Sequence, residues 1–345
     1  MNTLRRYLPF ILDNSIWVLL IGMVIFFAFT VPSFLTIQNL INILSYSAVL
    51  GIMVIGQSFT LITGNFDISM EGTLGLAGLI GIWLIAEKGE PYYGSGLMFP
   101  AWLAVILLLL VGLLIGWVNG FLITRLKVNN FIVTLAMLIA LRGAMMVLTN
   151  GSTAYSIDKW YNLIGGGKIG PVNFPIIIML ALFIIAFLTL KYTKFGRELF
   201  SVGANRNAAL ASGVNPDHRI RQVYLISGFL AAFSGFVLSS RLTNAMATMG
   251  RGTVFEVFAA AVIGGVSLQG GRGSMLGAFG GVLLLATINS GLNLMSVSVY
   301  WVEAIRGFLI LIAMLIDTQK TRFILTPQSK RVPTHRSVSL HEATD

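Results

Sequence analysis

Ten stretches of apolar residues dominate the hydrophobic pattern of this chain of 345 residues. Each stretch is a continuous run rather than an alternation of apolar and polar positions, and a helix needs about 20 such residues to cross a membrane. We therefore predict an all-α fold, a polytopic transmembrane bundle of about 10 spans. The predicted spans are residues 16–31, 40–62, 68–86, 101–123, 131–149, 175–190, 222–240, 254–267, 275–294 and 301–317.

The composition agrees with a membrane protein and removes several kinds of chemistry. Only 10% of the residues are charged, whereas about 25% of the residues of a soluble domain are charged. The chain has no cysteine, which excludes disulfides and thiolate metal sites. Its three histidines do not lie near carboxylates at ligand spacing, so we expect no metal site.

The net charge of +10 has two possible explanations, nucleic acid and membrane topology. If the N-terminus lies inside and the spans alternate, most of the 23 Lys and Arg residues fall on the cytoplasmic side. This is the bias that the positive-inside rule describes, and an anionic inner leaflet favours it. We therefore expect contact with membrane lipid, no nucleic acid and two cytoplasmic termini. Residues 1–320 are interpreted as one transmembrane domain, and 321–345 as a polar cytoplasmic tail.

The longest polar loop, residues 191–222, lies on the cytoplasmic side of this topology. Its sequence predicts two short helices, with Asn205 as the N-cap of the second and Gly213 as its stop. Gly196 and Gly203 are expected to permit the turn between the two helices, and "NAALAS" is small enough to fit a groove. The loop is either a docking surface for a soluble partner or an ordinary positively charged loop.

A break interrupts the apolar pattern after the second span, in "TGNFDISMEG". Charged groups inside a membrane are costly, and unwound backbone is tolerated there when it lines a cavity or is buried in protein. We therefore place Asp67 and Glu71 on a translocation path, with Asn65 and Ser69 beside them. Glu256, which begins the eighth span near the outer face, is placed on the same path, and a helix N-terminus suits its carboxylate. The other charges within spans are Arg142, Glu303 and Arg306, and the last two are expected to pair.

Motifs for nucleotide chemistry are missing. The only Gly-Lys pair, Gly167-Lys168, is followed by Ile169 and does not complete a phosphate-binding P-loop. "GGRGSMLG" does not have the G-x-G-x-x-G spacing of a dinucleotide site. We therefore expect no catalytic residues and no cofactor in this chain, and we do not expect it to bind ATP by itself.

Five motifs resemble those of one family, in the same order along the chain. They are "PSFLTIQNLINIL", "GNFDIS", "FIVTLAMLIALRGAMMVLTNG", "TKFGRELFSVGANRNAALASGVN" and "AAAVIGGVSLQGGRGSMLGAFGG". Together they resemble the ribose-type membrane permease subunits of bacterial ABC importers for monosaccharides. The chain departs from the family pattern at Asn65, Met70, Glu71 and Ala204, and at the mouth of the eighth span, where Val254 and Glu256 stand.

The resemblance implies a type II ABC importer-like permease of the bacterial inner membrane. It implies three partners: a cytoplasmic ATPase that binds the ATP, a periplasmic sugar-binding protein, and a second permease copy in a homodimer or heterodimer. The ATPase would dock on a coupling loop that includes Thr193, Phe195, Gly196, Arg197, Gly203, Asn205, Ala208, Ala209 and Gly213. The family's glycine-rich turn corresponds to Gly264, Gly265, Gly270, Gly271 and Gly273.

Three alternatives remain open from the sequence. The same machine can carry another small polar solute, such as an amino acid, a nucleoside or a polyol. A proton-coupled secondary transporter would use Asp67 and Glu256 instead and would transport without an ATPase. A structural membrane protein would not transport at all, although the broken span and the glycine-rich turn argue against this alternative.

Overall fold

The computed structural model describes residues 15–156 and 158–298, together with residues 300–302, 304, 305, 307, 308 and 311. The predicted pair Glu303–Arg306, the tail at 321–345 and most of the span at 301–317 lie outside the described residues. The chain is mostly helical in the described part. The helices are α1 (Ser15–Thr30), α2 (Ile37–Ile62), α3 (Met70–Ile85), α4 (Ala101–Thr124), α5 (Asn130–Thr149), α6 (Lys159–Gly166), α7 (Phe174–Tyr192), α8 (Lys194–Ala204), α9 (Arg206–Ala211), α10 (Pro216–Leu242), α11 (Thr253–Ile263) and α12 (Met275–Leu294).

Six of the described helices are long and apolar enough to cross a membrane by length and composition: α2, α4, α5, α7, α10 and α12. Three shorter apolar helices, α1, α3 and α11, lie where the first, third and eighth spans were predicted. The positions of nine predicted spans therefore coincide with apolar helices of the described part. The count of 10 spans stays a prediction.

The centre of the bundle is α10, which packs against α2, α3 and α4. Its small residues allow this close approach, because a Cβ added at Gly228 would overlap the carbonyl oxygen of Gly112 on α4. A Cβ at Gly235 would likewise overlap the backbone of Leu74 on α3. The glycines of these spans therefore serve helix packing. In contrast, only about a third of α4, α5 and α7 is buried within this chain.

Two small features depart from the predicted all-α pattern. Strand β1 (Ala154–Tyr155) pairs antiparallel with β4 (Asn244–Ala245), and β2 (Lys168–Ile169) pairs antiparallel with β3 (Val172–Asn173). Each strand has two residues, which is too short for the apolar pattern to reveal. The pairing of β1 with β4 joins the loop after α5 to the loop after α10, and α6 lies between β1 and β2.

Candidate functional site

The break predicted after the second span lies between α2 and α3, at residues 63–69. The last turn of α2 closes with the N–H groups of Thr63 and Gly64 donating to the carbonyls of Thr60 and Leu61. Gly64 has a φ of 73°, a left-handed conformation that glycine adopts without strain. The chain then leaves the helix axis, and the first turn of α3 begins at Met70.

Asp67 is the centre of this break and is only 1% exposed. Its Oδ1 accepts hydrogen bonds from the backbone N–H of Ser69 at 3.0 Å and from the Ser69 hydroxyl at 2.5 Å. Its Oδ2 accepts a hydrogen bond from the hydroxyl of Ser227 on α10 at 2.6 Å. The carboxylate therefore joins the freed backbone of the break to the central helix.

Other polar groups tie the break to its neighbours. Asn119 on α4 donates to the hydroxyl of Ser69 at 2.8 Å, and the Tyr224 hydroxyl on α10 donates to the carbonyl of Phe66 at 2.9 Å. Asn130, at the start of α5, donates to Oδ1 of Asn65 at 3.2 Å. Three helices therefore hold the unwound segment in place through hydrogen bonds. Buried backbone away from water requires such partners.

Glu71 lies in the first turn of α3 and connects it to two further helices. Its Oε1 forms an ion pair with the guanidinium of Arg142 on α5. Its Oε2 accepts a hydrogen bond from the backbone N–H of Val254, in the first turn of α11, at 3.3 Å. A carboxylate at a helix N-terminus is stabilised by the unpaired N–H groups and the helix dipole. Glu71 therefore accepts a hydrogen bond from an N–H group in the first turn of α11. Its position in the sequence of α3 does not reveal this role.

Glu256 lies in the first turn of α11, beside a cavity of about 130 Å³ between α2, α10 and α11. The Tyr46 hydroxyl donates a hydrogen bond to Oε2 of Glu256 at 2.7 Å. Arg241 also lines the cavity, and its guanidinium donates to the carbonyl of Ser45 at 2.9 Å. An aromatic ring, a carboxylate and a guanidinium therefore meet in one cavity. Asn65, Asp67 and Ser69 lie together within the break between α2 and α3. Glu256 lies apart from them, beside this cavity.

The polar loop after α7 forms the predicted helical hairpin, α8 and α9. The Thr193 hydroxyl caps α8 by accepting a hydrogen bond from Gly196 N–H. Asn205 Oδ1 caps α9 by accepting from the N–H groups of Asn207 and Ala208 at 3.0 Å each. Gly213, with a φ of 82°, follows the end of α9. The prediction of two short helices with these boundaries is confirmed.

One face of the hairpin is packed against the bundle and the other is open. Gly196 and Ala209 are buried, and the ring of Phe195 lies 6.2 Å from that of Phe59 on α2. Arg197 and Ala208 are exposed. The exposed side of α9 therefore presents small and apolar residues after Arg206. The predicted docking residues divide between these two faces.

The expectation that Gly196 and Gly203 permit the turn is wrong. Both lie inside α8, and the turn occurs at Asn205. An added Cβ at Gly196 would overlap the backbone of Leu190, and one at Gly203 would overlap the carbonyl oxygen of Ile62. These glycines are therefore required for close packing of α8.

Backbone contacts join α8, the break and the glycine-rich turn at one point. Gly271 N–H donates to the carbonyl of Ile62 at 2.9 Å, next to Gly203. A Cβ added at Gly270 would lie 2.7 Å from Gly64 N and 3.0 Å from Gly203 O. A displacement of α8 therefore acts directly on the end of α2. In the rest of the turn, Gly264 packs on α12, Gly265 has a φ of 87°, and Gly273 faces Ile62.

The chain is similar to known membrane permeases over most of its length. Residues 39–314 match the model of a family described as "Branched-chain amino acid transport system / permease component". The chain belongs to this permease family. Among curated proteins, it is 35% identical over 292 residues to the ribose import permease protein RbsC of Bacillus subtilis (strain 168), covering 84% of this chain and 88% of that one. No solved structure matches the chain significantly.

Two further relatives extend the match to most of this permease. The ribose import permease protein RbsC of Escherichia coli (strain K12) is 33% identical over 325 residues, which are 92% of this chain and 97% of that one. The galactose/methyl galactoside import permease protein MglC of the same strain is 30% identical over the same coverage. The prediction of membership in a monosaccharide permease family is therefore confirmed.

Several residues that hold the permease site together were not predicted. Ser227, Asn119 and Tyr224 lie within apolar spans, where a single polar residue is a weak signal.

Gln57 on α2 is fully buried, and both polar atoms of its side chain lack a hydrogen-bond partner among the described residues. The described part also contains no group of three His, Cys, Asp or Glu residues that could hold a metal ion.

Proposed function

We propose that this chain is the pore-forming permease subunit of an ABC importer that moves a monosaccharide across the bacterial inner membrane. The observation that carries the proposal is the match to permeases named for ribose and galactose import, which extends over 84–92% of the chain. The apolar helices support a multi-pass membrane protein. In this proposal both termini are cytoplasmic, and sugar reaches the chain from a periplasmic binding protein.

The hairpin of α8 and α9 supports a passive subunit driven by a separate ATPase. Its open face carries the exposed Ala208 and Leu210, the latter 62% exposed, and Arg197 and Arg206 are exposed as well. Its other face is fixed to the ends of α2 and α10, since Arg219 on α10 pairs with Glu198 on α8. ATP-driven movement of a docked ATPase would therefore be transmitted to the break between α2 and α3. ATP chemistry then belongs to the partner, and this chain needs no cofactor.

The polar groups of the break and of the cavity are proposed to serve the pathway. Asn65, Asp67 and Ser69 lie in the unwound segment, and Glu71 lies beside it in the first turn of α3. This segment would change shape when α8 moves the end of α2. Glu256 lines the cavity with Tyr46, where a sugar offers hydroxyl groups to the carboxylate and an apolar face to the ring.

A proton-coupled secondary transporter is the second candidate. Its carboxyl group must gain and lose a proton from water during each cycle. Asp67 fits this role poorly, because both of its oxygens accept hydrogen bonds from Ser69 and Ser227 inside the protein. The family's description, which names branched-chain amino acids, makes an amino acid the main alternative cargo.

Uptake of labelled ribose, galactose and xylose in cells that lack their own importers tests the proposal. The chain is expressed with the ATPase and the binding protein encoded beside it, and each component is omitted in turn. We expect uptake of one sugar only when all three are present. Uptake by the chain alone, abolished by a proton uncoupler, would establish the secondary transporter instead.

Docking of the ATPase is tested separately with a bulky residue on α9. Ala208→Trp places an indole on the open face, whereas Gly166→Trp places one at the end of α6, where an added Cβ meets open space. We expect Ala208→Trp to remove ATPase co-purification and Gly166→Trp to retain it, with equal amounts of both chains in the membrane. Gly203→Glu is unsuitable, because it would disrupt the contact with Ile62. Equal co-purification of the two tryptophan variants would exclude this face as the docking surface.

A further inference from the structure

The least buried of the long apolar helices carries an arginine far from both of its ends. Arg142 lies on α5, about 18 Å along the helix axis from Asn130 and about 10 Å from Thr149 at 1.5 Å per residue. Its side chain is 40% exposed on this chain. An arginine at this depth cannot favourably face lipid acyl chains, and such residues face a bundle interior or a water-filled cavity.

The guanidinium is held at this depth rather than directed toward a membrane surface. Glu71 pairs with it from α3 and is itself buried and fixed by the N–H of Val254. A long side chain that snorkels must be free to extend along its helix, and this ion pair removes that freedom. Among the described residues, Glu71 is the one hydrogen-bond partner of Arg142. A guanidinium has five N–H donors, so donors remain for another molecule.

The charges nearby do not balance. Arg251, an exposed residue in the loop before α11, repels the positive charge of Arg142. Glu71 supplies one negative charge against these two positive charges, so the cluster keeps an excess positive charge. An excess charge beside an exposed helix face requires water or polar groups next to it.

From these observations we infer that the side of α5 beside Arg142 faces the translocation path, and that the Arg142 guanidinium donates hydrogen bonds to the hydroxyl groups of the passing sugar. This face is open on the chain, so a second permease copy supplies the opposite wall. Glu71 is a positioning residue, because it orients the planar guanidinium. A rigid fork of donors suits two neighbouring hydroxyl groups better than the point charge of lysine does. The inference rests on the proposed function for the identity of the cargo.

Accessibility to water tests the placement of this face and does not depend on the cargo. The test position is Ile139, one turn from Arg142, which is 63% exposed. The control position is Ile184 on α7, which is 59% exposed and has no charged residue near it in its own helix. Each is replaced by cysteine in the naturally cysteine-free chain, and the assembled importer in permeabilised membranes is treated with a charged methanethiosulfonate reagent. Thiols react as thiolates, which form in water and not in hydrocarbon.

We expect Ile139→Cys to react faster than Ile184→Cys, by on the order of tenfold. We also expect the sugar-loaded binding protein with ATP to change the rate at position 139 and not at position 184. Equal rates at the two positions, whether slow or fast, would overturn the inference. The uptake assay above fails independently if the chain is not an importer, so the two failures are distinguishable.

Transport kinetics separate a sugar-binding role of Arg142 from a purely structural ion pair. Arg142→Gln leaves Glu71 without its partner, but Arg142→Gln combined with Glu71→Gln removes both charges together. We expect kcat/KM for sugar uptake to remain lowered by about tenfold or more in the double variant, because the guanidinium donors are gone. Arg142→Lys should raise KM while assembly with the ATPase is retained. Parental kcat/KM in the double variant would show that the pair is only structural.

Discussion

The hydrogen bond between Ser227 and Asp67 offers the most direct test of how the break is held. Ser227→Ala removes the hydroxyl that donates to Oδ2 of Asp67 at 2.6 Å and leaves that buried oxygen without its donor. Hydrogen bonds to charged groups contribute about 1.5–3 kcal/mol. We therefore expect Ser227→Ala to lower the free energy of unfolding by about 2 kcal/mol.

Ser234→Ala is the matched control. Ser234 lies two turns further along α10, is equally buried, and donates to the neutral carbonyl of Val49 at 3.3 Å. The longer bond to an uncharged acceptor is expected to contribute about 0.5–1 kcal/mol. The difference in unfolding free energy between the two serine variants therefore isolates the contribution of the Asp67 carboxylate.

A double-mutant cycle with Asp67→Ala completes the test. If the two side chains act through one bond, removing both costs less than the sum of the single changes, by about 2 kcal/mol. The measurement is reversible unfolding of the purified chain by SDS titration in mixed micelles, with sugar uptake measured in parallel. Asp67→Ala is expected to insert into the membrane and lose uptake. A coupling energy near zero, or equal costs for Ser227→Ala and Ser234→Ala, would refute this account of the break.

Three further predictions follow from other contacts. Gly203→Ala should lower the thermal stability of the purified chain, because overpacking costs about 1–3 kcal/mol of unfolding free energy, and Gly166→Ala should not. Equal stability of the two variants would contradict the tight backbone contact at Gly203. Tyr46→Phe should lower the free energy of unfolding by about 1–2 kcal/mol because Glu256 loses a donor, and the SDS titration would detect no change if that bond is unimportant. A cysteine at Asn207 should react with an impermeant thiol reagent only after permeabilisation; labelling of intact cells would reverse the predicted topology.

The sequence determined the positions of the apolar helices and of the hairpin of α8 and α9. A helix that crosses a membrane must satisfy its backbone hydrogen bonds internally, so a continuous apolar run is a strong local signal. Asn205 and Gly213 are also local signals, since a cap acts on N–H groups two or three residues away and a glycine on its own φ. The break at Asp67 was visible for the same reason, because it interrupts a run.

The partners of each polar group were decided by the tertiary structure alone. Asp67 meets a hydroxyl 160 residues away, and Glu71 meets an N–H group 183 residues away. Such contacts depend on the rotation of each helix about its axis and on which helices are neighbours, and an almost uniformly apolar helix encodes its rotation only weakly. Gly203 shows the same limit. In sequence it resembles a turn glycine, but it lies inside a helix, where the nearby carbonyl of Ile62 leaves no room for a side chain. The sequence shows that residue 203 has no side chain. Only the fold shows that the carbonyl oxygen of Ile62 occupies the space where a side chain would be.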